Sequence, residues 1–149
     1  MKLLSHPGAG WSIRRARASD RLDIEAVFLR CLADFEWRAT PRMELLRMRR
    51  TILACDVIVA EEAGAGLIGF ASVEIHNAYI PHLFVDADWR LCGVGSGLLE
   101  VSRDIAGQPL RLDVDAENIA AQAAYLAMGW TVASPAGGRQ GDQIRLIGP

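Results

Sequence analysis

Hydrophobic positions along the chain follow two alternating rhythms. Ile24, Val27, Phe28, Cys31, Leu32 and Phe35 fall three and four residues apart, the spacing that lays one apolar stripe along an α-helix. Ser19 and Asp20 stand just ahead of it as capping residues. Thr40-Pro41 then offers a cap with proline at the first helical position, and Leu45, Leu46, Met48, Ile52 and Leu53 carry a second helix. Elsewhere the rhythm shortens. "WSIRRARASD" opens as a strand, and "DVIVAEEAG" and "LIGFASVEIHN" are β-branched runs joined at Gly64 to Gly66, the pattern of a hairpin. "YIPHLFVDADW" is a further strand in which Pro81 cannot donate to a ladder, so a bulge or an edge position is expected there.

Val94, Leu98, Val101 and Ile105 share one helical face. Leu110, Leu112 and Val114 alternate in "PLRLDVDAEN" as a strand, "NIAAQAAYLAMG" is a helix stopped at Gly129, and "WTVASPAGGRQGDQIRLIG" reads as two strands around a glycine-rich turn. The order is β-α-α-β-β-β-α-β-α-β-β, which predicts a mixed sheet covered by helices on both faces, of the α/β (α+β) class. Residues 1–10 are expected to form a flexible N-terminal tail and 11–149 one domain, since 149 residues suffice for one core and are short for two.

Composition narrows the classes of function. With 51% hydrophobic and 23% charged residues the chain has globular composition. Its net charge of −2 argues against broad nucleic-acid binding, which needs a positive surface. No apolar run approaches the ~20 residues of a membrane span, and the apolar centre of "MKLLSHPGAGW" is too short for a secretory signal, so a cytoplasmic protein with no membrane partner is expected. Cys31, Cys55 and Cys92 are widely spaced without a C-x-x-C pair, and His6, His76 and His82 lack ligand spacing. No disulfide framework and no metal site are expected.

The stretch "VDADWRLCGVGSGLLE" sets Gly93, Gly95 and Gly97 at the entry to a helix. Such a turn aims unpaired N–H groups at the positive end of the macrodipole and forms an anion site, which absent side chains open to a pyrophosphate. Arg90 adds charge beside it or stands solvated. The alternative is that the glycines only permit close helix–sheet packing. A dinucleotide or S-adenosylmethionine site would want an acid about 20 positions further on, where Asp113 and Asp115 stand. Against that reading, Leu98 occupies the place of the third glycine and "DADWRLC" separates the strand from the turn.

Two motifs bring a family into view. Arg90-Leu91-Cys92-Gly93-Val94-Gly95 matches an Arg/Gln-x-x-Gly-x-Gly/Ala loop, and Asn118, Ala121, Tyr125 and Gly129-Trp130 match an Asn-x-x-Ala-x-x-x-Tyr-x-x-x-Gly-aromatic pattern. Together they resemble the GCN5-related N-acetyltransferases (GNAT) over residues 79 to 130. The resemblance implies a mostly antiparallel sheet flanked by helices, with acetyl-CoA or another acyl-CoA as donor. It assigns the pyrophosphate to the backbone of Leu91, Cys92, Gly93, Val94, Gly95 and Ser96, with Gly97 allowing close approach. It runs the pantetheine arm beside Leu83, Phe84 and Val85, where the strand splays from its neighbour near Pro81. Asn118 would hydrogen-bond the cofactor, although an Asn at this place is equally a helix N-cap. Tyr125 would be the general acid, protonated at neutral pH because its ordinary pKa is ~10. Leu91 and Cys92 stand where many relatives carry basic or small residues, so the clamp leans on backbone amides and Arg90.

The implied reaction is direct attack of an amine on the thioester. The amine must lose a proton, and Glu74 is the first candidate base because a carboxylate inside a central strand needs a cleft or a partner. Tyr79, His76 and His82 follow, the histidines having the better intrinsic pKa. The acceptor is expected to be a small amine or a protein N-terminus, shaped by "FEWRATPRMELLRMRR", in which Arg38, Arg42, Arg47, Arg49 and Arg50 would meet an acidic acceptor or form a solvated face, and Trp37 would stack on the acceptor or cap the core. A homodimer accords with the resemblance. The alternatives are a non-catalytic acyl-CoA-binding module and an NAD- or S-adenosylmethionine-dependent enzyme.

Overall fold

The computed structural model describes residues 2–35, 40–135 and 143–149. In chain order its elements are β1 (Lys2–His6), β2 (Trp11–Arg15), α1 (Arg21–Leu32), α2 (Pro41–Thr51), β3 (Asp56–Glu62), β4 (Gly66–Glu74), β5 (Tyr79–Val85), α3 (Val94–Ala106), β6 (Arg111–Asp115), α4 (Ile119–Ala127), β7 (Thr131–Pro135) and β8 (Gln143–Ile147). The strands form one 8-stranded sheet in the order β1-β2-β3-β4-β5-β6-β8-β7. Every neighbouring pair is antiparallel except β5 with β6.

The order agrees with the sequence pattern except at the start. Residues 2–6, expected as a flexible tail, form an edge strand on β2 through Leu4↔Ile13, Ser5↔Ser12 and His6↔Trp11. A tight turn returns the chain, with Ala9 and Gly10 N–H both donated to the His6 carbonyl and Gly10 in the left-handed region at φ 76°. "KLLSH" lacks the β-branched residues that mark strands, and what holds it is tertiary: Leu4 packs against the cluster beneath α3.

The predicted helical stripes fall on the core. On one sheet face Val94, Leu98 and Val101 of α3 cover Trp11, Ile13, Ile58, Ile68 and Ala71. On the other, Ile24, Val27, Phe28 and Cys31 of α1, with Met48 of α2, cover Val59 and Phe70. Phe28 and Phe70 are fully buried, each stabilising the fold by about 1.5–3 kcal/mol relative to exposure. In α2 only Glu44 and Met48 are buried, and Leu46 stays exposed. That helix packs on the core through Met48 and Leu45 and borders a cavity through Glu44, Arg47, Met48 and Thr51.

Ion pairs fix the lower end of this assembly. Arg14, buried in β2, donates to both oxygens of Asp20 at 2.8 and 3.0 Å and to Glu61 at 2.9 and 3.2 Å. Asp20 also accepts the Arg17 N–H at 2.7 Å, and Glu25 joins α1 to α2 through two 2.8 Å bonds from Arg49.

Two irregularities shape the site. Ser72 pairs with His82 and Glu74 with Tyr79, so Ile80 and Pro81 together oppose Val73. This is the bulge expected at the proline. Between β5 and β6 the only paired couple is Tyr79↔Arg111, whereas β6 is paired along its whole length with β8. From Pro81 onward β5 and β6 part.

Candidate active site

The parted strands open a cleft with a cavity on each side. A smaller one, about 110 Å³, is lined by Leu83, Asp115, Asn118 and Tyr125, and a larger one, about 480 Å³, by Met48, Glu74, His82 and Arg145. Pro81, Phe84 and Asp113 border both. A molecule spanning the cleft therefore touches Asn118, Ala121 and Tyr125 of the second motif, strand β5 and the α2 face.

At the end of β5 the chain passes through a short 3-10 turn, Ala87–Trp89, into the glycine turn. Leu91 at φ 66° and Gly93 at φ 81° are both left-handed; for a bulky residue such as Leu91 this conformation is uncommon. The first helical bond of α3 runs from Gly97 N–H to the Gly93 carbonyl at 2.9 Å. The N–H groups of Val94, Gly95 and Ser96 precede it and form the open donor set of the helix end.

Each glycine has its own reason. Gly93 supplies the left-handed cap. A Cβ on Gly95 would meet only Val85 Cγ2, at 3.9 Å, so packing does not require a glycine there. At Gly97 a Cβ would stand 2.9 Å from the Trp11 indole and 3.0 Å from Ile13, so the glycine permits close helix-to-sheet packing, the alternative reading of these glycines. Gly97→Ala gains about 1 kcal/mol in helix propensity and loses about 1–3 kcal/mol to overpacking against a rigid ring. A net loss of about 1 kcal/mol is expected in denaturant unfolding, and a variant as stable as the parent would contradict this role.

Trp11 acts a second time, its indole N–H donating to the Cys92 carbonyl at 3.2 Å. The glycine turn is thereby pinned to β2, a contact across 81 residues of chain. Arg90 is turned aside from the open amides. Its Nε donates to the Val85 carbonyl at 3.2 Å and its Nη2 to Asp34 at 3.0 Å.

Asn118 caps α4, its Oδ1 accepting the Ala121 N–H at 3.1 Å, and also lines the smaller cavity. Tyr125 faces the same cavity with its ring 5.2 Å from that of Trp130. Burial pushes its phenol pKa above the ordinary value. Asp113 is gripped by Arg145 at 2.9 and 3.0 Å and accepts the Tyr79 hydroxyl at 2.8 Å; Asp115 accepts from Gln143 at 3.1 Å. Both acids that a ribose site would use are engaged by neighbouring strands.

In the larger cavity Glu74, half-buried, accepts from Asn77 at 3.3 Å. His82 sits 2.8 Å from the Ser72 hydroxyl through Nδ1. His76 is exposed, and its carbonyl accepts from Gln108. Of the α2 arginines, Arg47 lines the cavity and is paired with Glu44 at 3.1 Å, Arg49 is bound to Glu25, and Arg42 and Arg50 are exposed. Trp37 and Arg38 lie outside the described residues. Arg145, Ser72 and Trp11 were not anticipated, because each acquires its role from a partner distant in sequence. Among the described residues, no group of three His, Cys, Asp or Glu is placed to hold a metal, and no helix is long and apolar enough to cross a membrane.

This architecture recurs in solved structures, acetyltransferases among them. Apo YjaB from Escherichia coli is similar at 28% identity and TM-score 0.71, over 92% of this chain and 96% of that one. PaiA N-acetyltransferase from Thermoplasma acidophilum, solved in complex with coenzyme A, is 17% identical with TM-score 0.72 over 93% and 98% of the two chains. YncA from Salmonella typhimurium, solved with acetyl-CoA, is 21% identical with TM-score 0.61 over 92% and 90%. No curated protein matches the sequence significantly. The model of the acetyltransferase (GNAT) family matches residues 23–130. The chain belongs to the GNAT acetyltransferase family.

Proposed function

We propose that this protein moves an acetyl group from acetyl-CoA to an amine by direct attack. The observation that carries the reading is the cleft between β5 and β6, which joins a cavity holding Tyr125 to a larger one holding Glu74 and His82. On the donor side the pyrophosphate is received by the open amides of Val94, Gly95 and Ser96, with the backbone of Leu91, Cys92 and Gly93 completing the turn. The pantetheine arm lies along the parted edge of β5 at Leu83, Phe84 and Val85, beside Asn118. CoA bound to PaiA and acetyl-CoA bound to YncA support this donor. Arg90 contributes by bracing the turn against Asp34 and Val85.

The acceptor enters the larger cavity, whose 480 Å³ suits a small amine or the first residues of a protein N-terminus. Glu74 draws in the protonated amine. After the ammonium gives up one proton to solvent, the amine lone pair forms the N–C bond, the C–S bond breaks with its electron pair on sulfur, Tyr125 donates a proton to that sulfur, and the nitrogen loses its second proton to a base or water chain. No covalent enzyme intermediate is involved.

Thermal unfolding with acetyl-CoA, CoA, NAD and S-adenosylmethionine tests the donor site. A ligand at ~100 times its dissociation constant stabilises the native state by about 2.7 kcal/mol, roughly 5–10 °C for a chain of this size. A shift with the two CoA compounds alone is expected. A shift with NAD or S-adenosylmethionine and none with either CoA would overturn the assignment. CoA binding without acetylation across an amine panel would leave a non-catalytic binding module.

A further inference from the structure

We infer that the acceptor is a small diamine: one nitrogen takes the acetyl group at the cleft, and Glu74 holds the other as an ammonium. The inference rests on reading the chain as an amine acetyltransferase and names the substrate class of that site. It begins from the charges facing the larger cavity, which come from Glu44 and Arg47 of α2, Glu74 of β4, Asp113 of β6 and Arg145 of β8. Arg47 is paired with Glu44 at 3.1 Å, and Arg145 grips Asp113 at 2.9 and 3.0 Å. Glu74 accepts from the neutral amide of Asn77 at 3.3 Å and has no ion-pair partner among the described residues. Those residues give the wall three carboxylates and two guanidinium groups. A carboxylate held by one neutral donor has lone pairs left for N–H groups, and hydrogen bonds between ionised partners are the strong ones.

Register sets Glu74 apart from the reacting centre. The two cavities meet at Pro81, Phe84 and Asp113, where an amine reaches a thioester held along β5. On β4, Phe70 lies opposite Phe84, Ser72 opposite His82 and Glu74 opposite Tyr79, alternate residues of one strand and so on one face. Glu74 stands two residues beyond Ser72, about 7 Å further from the donor arm along the strand. An extended chain advances ~1.2 Å per bond, so about six bonds bridge that step, the separation of the two nitrogens in cadaverine. Phe28, Met48 and Pro81 offer the methylenes an apolar wall. Past Glu74 lies an outer recess with Asn77, Arg111 and Arg145, where Arg111 is exposed and donates to the Asn77 carbonyl at 3.1 Å. Those arginines make an amine bearing a carboxylate the competing class.

A second ammonium also suits the chemistry. Alkylamines have an ordinary pKa of about 10.4, but like charges in one molecule disfavour each other while Glu74 favours the ammonium beside it. The nitrogen at the cleft is therefore the one that gives up a proton to solvent. It forms the N–C bond as the C–S bond breaks, Tyr125 protonates the sulfur, and the nitrogen's surplus proton leaves to solvent. The nitrogen at Glu74 keeps its three hydrogens throughout. The product has one amide and one ammonium, and an amide turned toward Glu74 forms no ion pair, so the expected product is mono-acetylated.

Initial rates with cadaverine, n-pentylamine and δ-aminovalerate compare a second cation, no second charge and an anion on chains of similar length. The kcat/KM for cadaverine is expected to exceed that for n-pentylamine about tenfold, the lower end for a hydrogen bond between charged partners, and that for δ-aminovalerate by more. In Glu74→Gln, which keeps an oxygen for Asn77, the ratio of cadaverine to n-pentylamine falls toward unity, and Glu74→Asp restores part of it. Added salt lowers the ratio in the parent, as screening of an ion pair requires. Equal kcat/KM for the diamine and the monoamine overturns the inference, as does a ratio that survives Glu74→Gln. A preference for δ-aminovalerate overturns it in favour of the arginines. Calorimetric titration of cadaverine into the protein with CoA needs no turnover. Binding that weakens about tenfold in Glu74→Gln, with no amine acetylated by the parent, would uphold the diamine site and remove the acetyl-transfer reading. Acetylation of n-pentylamine with no binding of cadaverine would do the reverse.

Discussion

Tyr125→Phe should lower kcat by about a hundredfold while leaving acetyl-CoA binding intact. General acids contribute roughly 10²–10⁴ in rate, and phenylalanine keeps the ring that packs beside Trp130 at 5.2 Å, so the loss isolates the hydroxyl. Burial has raised the phenol pKa, which keeps the proton on Tyr125 through the neutral and mildly basic range. The same burial weakens the phenol as an acid. A departing thiolate held in the same cleft would be desolvated as well, which would raise its basicity too. Thiol release during turnover measures the rate, and the acetyl-CoA-induced shift in Tm measures binding. A kcat equal to the parent's across the pH profile would remove the acid assignment.

The second large effect is on stability. Asp20→Ala is expected to cost about 3 kcal/mol, the lower end of what breaking a buried ion pair costs. The side chains of Arg14 and Asp20 are only 7% and 9% exposed, so the variant leaves a buried guanidinium with Glu61 as its remaining carboxylate and removes the acceptor of the Arg17 N–H. A fall in Tm of roughly 6–12 °C follows for a chain of this length. Hydrogen bonds from Arg14 hold the Asp20 carboxyl below its ordinary pKa, and Glu61 and Glu25 are held down likewise by Arg14 and Arg49. Stabilisation by such groups is fully present above their unfolded values, about pH 4, and is lost as pH falls through the lower folded values. The gap between parent and variant in denaturant unfolding should therefore narrow from pH 7 to pH 3. Equal stability at pH 7 would show that the network contributes nothing.

What the sequence revealed and what it concealed divide along one physical line. The stripe of α1, the hairpin of β3 and β4 and the bulge at Pro81 are local consequences of period and residue type, and each stands where the pattern put it. Asn118 shows its capping bond as the residue type suggested. The strand at Lys2–His6 went unread because its hold on β2 is tertiary. The residue type of Gly97 leaves packing and ligand approach both open, and its close approach to Trp11 is invisible in the run because Trp11 comes from another strand. The partner of Arg90 is equally hidden, since Asp34, 56 residues away, accepts from its guanidinium. The site's polar couplings, Ser72 to His82 and Arg145 to Asp113, join strands whose register no single run of residues displays. Periodicity says which face a residue occupies, not whom it meets.

The seam between β5 and β6 would give a donor bound there a mechanical role. With one residue pair joining them, the sheet consists of a larger sector from β1 to β5 and a smaller one of β6, β8 and β7, tied there by the Tyr79, Asp113 and Arg145 side chains. A pantetheine arm laid along β5 would serve as the absent rung of the ladder, so the substrate would be a temporary part of the scaffold. Each cycle would then splice the two sectors and release them again, linking the residence time of CoA to the cohesion of the protein itself.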